Sequence, residues 1–553
     1  MHDMMRRVLF LPCALASVLV AFAAGPVNIS QNTSAGGGVP VGNPYESPES
    51  PVPANQIDRL VFPKVQALGV QPVLCSDAVF VRRVYLDTIG TLPTAEEARQ
   101  FIQSRDKNKR RVLIDKLLDR PEFADYWSMK WGDILRIKAE FPVNLWPNAA
   151  QAYHRWVHAA ITQNKPYDQF ARELLTSSGS NFRVGPVNFY RAVQNRTPEG
   201  IASAVALTLM GSRTDSWPTG QLEGMTGFFS QIGYKPTREW KEENVYWDPY
   251  AGSTNSSGAT NNTRAPVMAR FPGGKAMKLP SDKDPRDIFA DWLITPENPW
   301  FTRAIANRVW YWLLGRGIIH EPDDIRPNNP PSNPALLVYL QEELVANDYD
   351  LRRLYKIILN SGVYQMSSVP AGSANARHQS QFARYPLRRL EAEVLIDSIN
   401  RITGTADLYT SAIPEPFTYI PADQTAISIA DGSISSPFLT LFGRSARATG
   451  MENERENKFM PSQALHLLNS SHIQRKIEQG PKLRSILDAK RPQDQIIEHL
   501  YLTILSRFPT QAELKAVSAH GKPGRNGGVV KSKDHWTDIA WSLINSSEFI
   551  HRH

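Results

Sequence analysis

Along most of the chain, apolar residues return every three or four positions, the spacing of a helix with one buried face; runs that alternate as a strand would are short and rare. Phe123, Tyr126, Trp127, Trp131 and Ile134 follow this spacing, and Tyr153, Trp156, Val157 and Ile161 repeat it. A further helix is expected over 168–175, after Lys165-Pro166-Tyr167, and others over 301–313, 335–345 and 351–359. In the last of these, Leu351, Leu354, Tyr355, Ile358 and Leu359 meet the helical template at every step. The periodicity fails over 242–284, where Gly, Ser, Thr, Asn and Pro dominate 252–264. The fold class is therefore mainly α: a multi-helical protein with an N-terminal helical domain over 56–241, an irregular connector with short strands over 242–284, and a C-terminal helical domain over 285–553.

The first residues carry a different pattern. Arg6 and Arg7 precede an apolar run over 8–24 in which Ala21 and Ala23 fit an A-x-A cleavage site, so 1–24 is expected to be a signal peptide. Residues 25–55, rich in Gly, Pro, Ser and Asn, are expected to form a flexible tether, with order beginning near Ile57. A cleaved leader implies a periplasmic or secreted protein with no stable transmembrane segment. It would also leave Cys75 as the sole cysteine of the two in the sequence, which excludes an intramolecular disulfide, a thiolate cluster and a paired-thiol redox site. The formal net charge of +8 suits an anionic partner such as acidic polysaccharide or a phospholipid surface, although solvated helix faces account for scattered basic residues more readily; that scatter, together with export, argues against nucleic acid. An envelope protein or an anionic polysaccharide is the expected partner.

One internal repeat is visible. Tyr85-Leu86, Ile89, Leu92-Pro93-Thr94 and Glu97 correspond to Tyr501-Leu502, Leu505, Phe508-Pro509-Thr510 and Glu513. In each copy a helix ends before Pro, Thr caps the next, and Glu three residues on completes a capping box.

Familiar catalytic signatures are missing from the letters. The chain has no HExxH, no GxSxG elbow, no Walker loop and no dinucleotide fingerprint, and its histidines show no zinc spacing. His466 and His472 are too far apart along one helix to share a face. No catalytic residue, metal, haem or other cofactor is assigned. Trp and Tyr are abundant enough to make sugar-stacking platforms, but most sit at helical core spacing and are read as core. The strongest polar constellation is Glu321, Asp323, Asp324, Arg326, Asn328, Asn329 and Asn333, in a loop stiffened by five prolines between Pro322 and Pro334. Its carboxylates suit acid and base work and its amides suit sugar hydroxyls, but the same residues brace turns in a long connection. Arg308 and Trp310 lie on the preceding helix, with Arg316 between two glycines at its end; Arg388, Arg389 and Glu391, placed on a later helix, and Glu454 and Arg455 suit either the same network or ordinary surface pairs. The candidate binding residues are therefore Arg308, Trp310, Arg316, Asp323, Asp324, Arg326, Asn328, Asn329, Arg388, Glu454 and Arg455.

The segment 57–138, with Phe80-Val81-Arg82-Arg83-Val84-Tyr85-Leu86-Asp87 and Gly90-Thr91-Leu92-Pro93-Thr94, resembles the planctomycete cytochrome-associated domain of unknown function. The second half resembles its usual C-terminal companion through Asn307-Arg308-Val309-Trp310, Gly315-Arg316-Gly317, the Asp323 to Pro334 run and Ser361-Gly362-Val363-Tyr364-Gln365. The resemblance implies a large secreted protein, often fused to cytochrome c or carbohydrate-binding modules, and implies no reaction. Many relatives carry a C-x-x-C-H motif after the helix equivalent to 201–210, whereas here Gly211-Ser212-Arg213-Thr214-Asp215-Ser216-Trp217-Pro218 contains neither Cys nor His. Relatives also tend to place a Cys in the segment equivalent to Met451-Glu452-Asn453-Glu454-Arg455. The expectation is an exported accessory, binding or scaffold protein. The alternatives are an extracellular polysaccharide hydrolase or lyase using Asp323 or Asp324, and a degenerate relative of a haem-linked electron-transfer component.

Overall fold

Proline and short polar caps decide where the helices begin. Pro occupies the first turn of helices Pro121–Ile134, Pro147–Thr162, Pro198–Met210, Pro285–Leu293 and Pro334–Ala346, where its missing N–H costs no hydrogen bond. The computed structural model describes residues 43–251, 267–369, 376–489, 491–520, 522–523, 529–530 and 533–553. The expected leader, most of the tether and part of the connector lie outside the described residues. The helices expected in the second half are Phe301–Leu314, Pro334–Ala346 and Leu351–Leu359, and that expected after Pro166 is Tyr167–Thr176.

Strands are few and short. Gly179–Ser180, Glu243–Trp247 and Ile232–Pro236 form an antiparallel three-stranded sheet with Glu243–Trp247 in the middle, and Met268–Arg270 pairs with Ala276–Lys278. Two of these strands flank residue 242, so the first sheet spans the point where helical periodicity gives way.

Both capping boxes of the repeat form. The Thr94 N–H donates to Glu97 Oε2 at 2.9 Å and the Thr510 N–H to Glu513 Oε2 at 2.7 Å, opening helices Ala95–Gln103 and Gln511–Ala519. The copies also touch: helix Ala95–Gln103 packs on Gln493–Ile504, where Arg99 pairs with Glu498.

Residues Asn43–His553 pack as one unit. The change of composition at 242–284 does not divide the core, because the aromatic face of helix Pro121–Ile134 is completed by second-half residues. Trp127 lies with its ring centroid 4.3 Å from Tyr355 and 5.4 Å from Trp312, and Trp131 meets Trp312 edge-on at 5.7 Å. Helix Asp77–Ile89 is likewise enclosed by later chain: Arg82 donates to the carbonyls of Ile504 and Phe549, and Arg83 to those of Tyr364, Met366 and His553. Order also begins before Ile57. Glu46 bridges Cys75, and the Tyr45 hydroxyl reaches Glu548 at 3.3 Å, so Tyr45 anchors a stretch whose composition otherwise suits a tether.

Because these aromatic contacts cross the chain midpoint, calorimetry should give a single unfolding transition. Trp312→Ala should move that transition as a whole, with a loss of about 3–5 kcal/mol. Two transitions, of which Trp312→Ala shifts one, would show separate cores.

Candidate functional site

Helix Phe301–Leu314 carries Arg308 into the interior, and the loop after it is fixed by Asn307, whose side chain donates to the Ile319 carbonyl and accepts from the Ile319 N–H, each at 2.9 Å. The helix ends at Gly315, with φ of 69°; a Cβ there would come within 2.3 Å of the Arg388 side chain, so glycine alone allows the approach. Arg308 donates to Asp323 Oδ1 at 2.7 Å and to the Thr208 carbonyl at 2.8 Å. The second oxygen of Asp323 accepts the Glu452 N–H at 2.7 Å, and Glu452 Oε1 accepts the Trp312 indole N–H at 2.6 Å. Arg308 Nε stands 3.7 Å from Glu452 Oε1, closing the group. Burial pushes the Glu452 carboxyl up to about 7, and the Asp323 charge adds to the shift. Burial weakens the charged form of Arg308, but Asp323 and Glu452 outweigh it and hold its pKa above the ordinary arginine value.

Asp324 turns the other way. It pairs with Arg213 at 3.1 Å and Arg326 at 3.2 Å, and its backbone carbonyl accepts from Asn329. Asn328 is exposed, Arg316 is half-buried, and Trp310 is buried against Phe382, away from this polar group.

Arg388 and Arg389 sit on a two-residue strand paired with His551–Arg552, and Glu391 stands just before helix Ala392–Thr403 without capping it through its side chain. These positions were expected on a helix; the neighbouring C-terminal strand supplies backbone partners that a helix would have supplied internally. Arg388 donates to the Trp312 and Leu313 carbonyls and pairs with Asp87 at 3.3 Å. Asp87 also accepts the hydroxyls of Tyr364 and Tyr385 and faces Arg552, which pairs with Glu391; Glu391 in turn meets Lys130 at 2.6 Å. Arg455 belongs to a further cluster, bound to Asp133 at 2.7 Å and Glu393 at 2.6 Å, with Arg447 on the other Asp133 oxygen. Burial opposes the Asp133 charge, but Arg455 and Arg447 prevail and hold its pKa below the ordinary aspartate value. Glu454 instead holds its own loop, accepting the Ala448 and Thr449 N–H groups.

The sequence therefore locates Arg308, Asp323 and Arg455 among buried charges but misses Asp87, Lys130, Asp133, Glu393, Glu452 and Arg552. A usable signal existed for two of them: Lys130 and Asp133 interrupt a helix buried on nearly every side. The expected separation of His466 and His472 is also corrected. Two helices, Pro461–Asn469 and Ser471–Gln479, meet at Ser470, and the turn brings the imidazole nitrogens to 3.5 Å, with His472 against Asp407 at 2.8 Å.

Among the described residues, no group of three or more His, Cys, Asp or Glu side chains is placed to hold a metal. In the segment 211–218, the Ser212 hydroxyl accepts the Trp217 indole N–H, Arg213 pairs with Asp324, and no thiol or imidazole is present, so these residues do not fit a covalently held haem. Two hollows stand out: one of about 40 Å³ among Trp127, Trp131, Tyr167, Phe170 and Tyr355, and a wider one of about 350 Å³ beside the loop that follows Ile134. Neither is lined by Asp323, Asp324 or Glu452.

Glu452 binds its proton more tightly in the folded chain, near 7 against an ordinary 4.5. Its contribution therefore favours folding fully below about pH 4.5 and is lost as pH rises towards 7. The melting temperature of Glu452→Gln should change less between pH 5 and pH 7.5 than that of the wild type; parallel pH profiles would contradict this placement.

No curated protein and no solved structure matches the chain. Residues 56–216 match the family model PSCyt2, described as a protein of unknown function (DUF1549), and residues 285–520 match PSD1, described as a protein of unknown function (DUF1553). With the helix bearing Lys130 and Asp133 in the first match and Arg308, Glu391, Glu393 and Arg455 in the second, the chain belongs to the proteins that join a PSCyt2 domain to a PSD1 domain.

Proposed function

We propose that this protein is an exported accessory protein that binds anionic polysaccharide and does not transform it. The observation that carries the proposal is the occupation of the candidate acids: Asp323 is engaged through both oxygens, Asp324 is held by Arg213 and Arg326, and neither hollow opens on either. A general acid or base must reach the proton it transfers, and these carboxylates face protein groups. The charge of +8 supports an acidic ligand, and the basic n-region with its apolar run supports export.

One observation favours a hydrolytic alternative. Glu452 and Asp323 are adjacent carboxyls whose surroundings differ, the pattern that separates an acid from a base in a polysaccharide hydrolase. Access argues against it, since both Asp323 oxygens accept from Arg308 and the Glu452 N–H, and Glu452 Oε1 accepts from Trp312.

Purified protein is expected to bind acidic polysaccharides at low ionic strength, to lose affinity as salt rises, and to leave the polymer length unchanged. Affinity electrophoresis combined with a reducing-end assay checks both points. Absence of binding to every acidic polymer would contradict the proposal, and new reducing ends that vanish in Glu452→Gln would favour the hydrolase.

A further inference from the structure

The wider hollow has the construction of a ligand site. It lies between the loop joining helices Pro121–Ile134 and Pro147–Thr162, the turn at Lys241, and residues Ala412 and Ile413. Its aromatic lining is Phe141, 79 % exposed, and the half-buried Trp146. Two further exposed aromatics, Trp240 and Phe417, do not line it but adjoin Lys241 and Trp146. Phe417 meets Trp146 edge-on at 5.3 Å, and the Lys241 ammonium lies 5.9 Å from the Trp146 ring and 5.2 Å from that of Trp240.

The loop is held in place before any ligand arrives. The Ala139 N–H donates to Asp431 at 2.8 Å, the Glu140 N–H to Ser433 at 2.9 Å, and the Trp146 N–H to the Ala139 carbonyl at 3.1 Å. Glu140, the other charged residue lining the hollow, accepts the Ala412 N–H at 3.2 Å and the Ser411 hydroxyl at 3.4 Å. Three lining residues, Asn144, Trp146 and Lys241, have φ of 62°, 73° and 64°. Trp146 combines its φ with ψ of 148°, close to a region that only glycine enters freely. Its ring is held by the edge contact with Phe417 and by the Lys241 ammonium.

Aromatic faces at an open hollow stack against the C–H face of a pyranose, and a few polar groups at the edge orient the ring. Lys241 adds a charge. Its ammonium faces two indoles and, among the described residues, forms no ion pair, while the Glu140 carboxylate already has donors. The geometry points to a binding site for an acidic saccharide, in which Phe141 and Trp146 take the sugar face and Lys241 takes its carboxylate. This rests on the polysaccharide-binding proposal and gives it a location.

The test is calorimetric titration of the full chain with hexagalacturonate and with its methyl-esterified, uncharged form. Wild type should prefer the acid. Phe141→Ala, at a position exposed enough to leave the fold intact, should weaken binding of both forms about tenfold or more. Lys241→Gln should weaken the acid alone and abolish the preference. If both variants bind as wild type does, the hollow is not the site, although the broader proposal stands. Equal affinity of wild type for acid and ester would overturn the assigned charge. Failure of wild type to bind either form would overturn this site, and the broader proposal falls with it only if every other acidic polymer also fails.

Discussion

The structure depends on charges that are buried only because partners from distant parts of the chain reach them. Arg308 could not sit inside helix packing unpaired: an isolated guanidinium in that position would cost several kcal/mol. Asp323 arrives from the proline-braced loop 15 residues after Arg308 and Glu452 from 129 residues beyond Asp323, and each contributes to the other's position through the Glu452 N–H. The same logic joins Lys130 to Glu391 and Asp133 to Arg455. These last two pairs tie the first half of the chain to the second, so the charges select one arrangement of helices that apolar packing alone would leave less specified.

Aromatic packing supplies the complementary, non-directional part. Trp127 and Trp131 on the first-half helix close on Trp312 and Tyr355. The Trp312 ring faces that core while its N–H reaches Glu452, so one side chain serves both the apolar and the ionic system. This is why the boundary in composition near the middle of the chain leaves the packing continuous.

Much of the helical skeleton was legible because 3.6-residue periodicity, N1 prolines and capping boxes act locally. Leu351–Leu359 and the Thr94 and Thr510 boxes appear where the letters place them. The sites were less legible, since burial of charge is a tertiary outcome: Asp87 looks like any aspartate until Arg388 and Arg552 are brought beside it. Arg388 and Arg389 were misplaced on a helix because the strand that receives them comes from the last residues of the chain. His466 and His472 were separated because a break at Ser470 is invisible to a spacing argument. Trp146 and Trp240 were grouped with the core, yet they flank the exposed ammonium of Lys241.

The central claim is that the buried carboxylates brace the fold. A double-mutant cycle on unfolding free energy, with Arg308→Met and Asp323→Asn singly and together, measures that directly. Direct pairing predicts a coupling of about 2 kcal/mol, because the second substitution removes a charge already stranded by the first. A coupling near zero, with both single variants as stable as the wild type, would contradict the account.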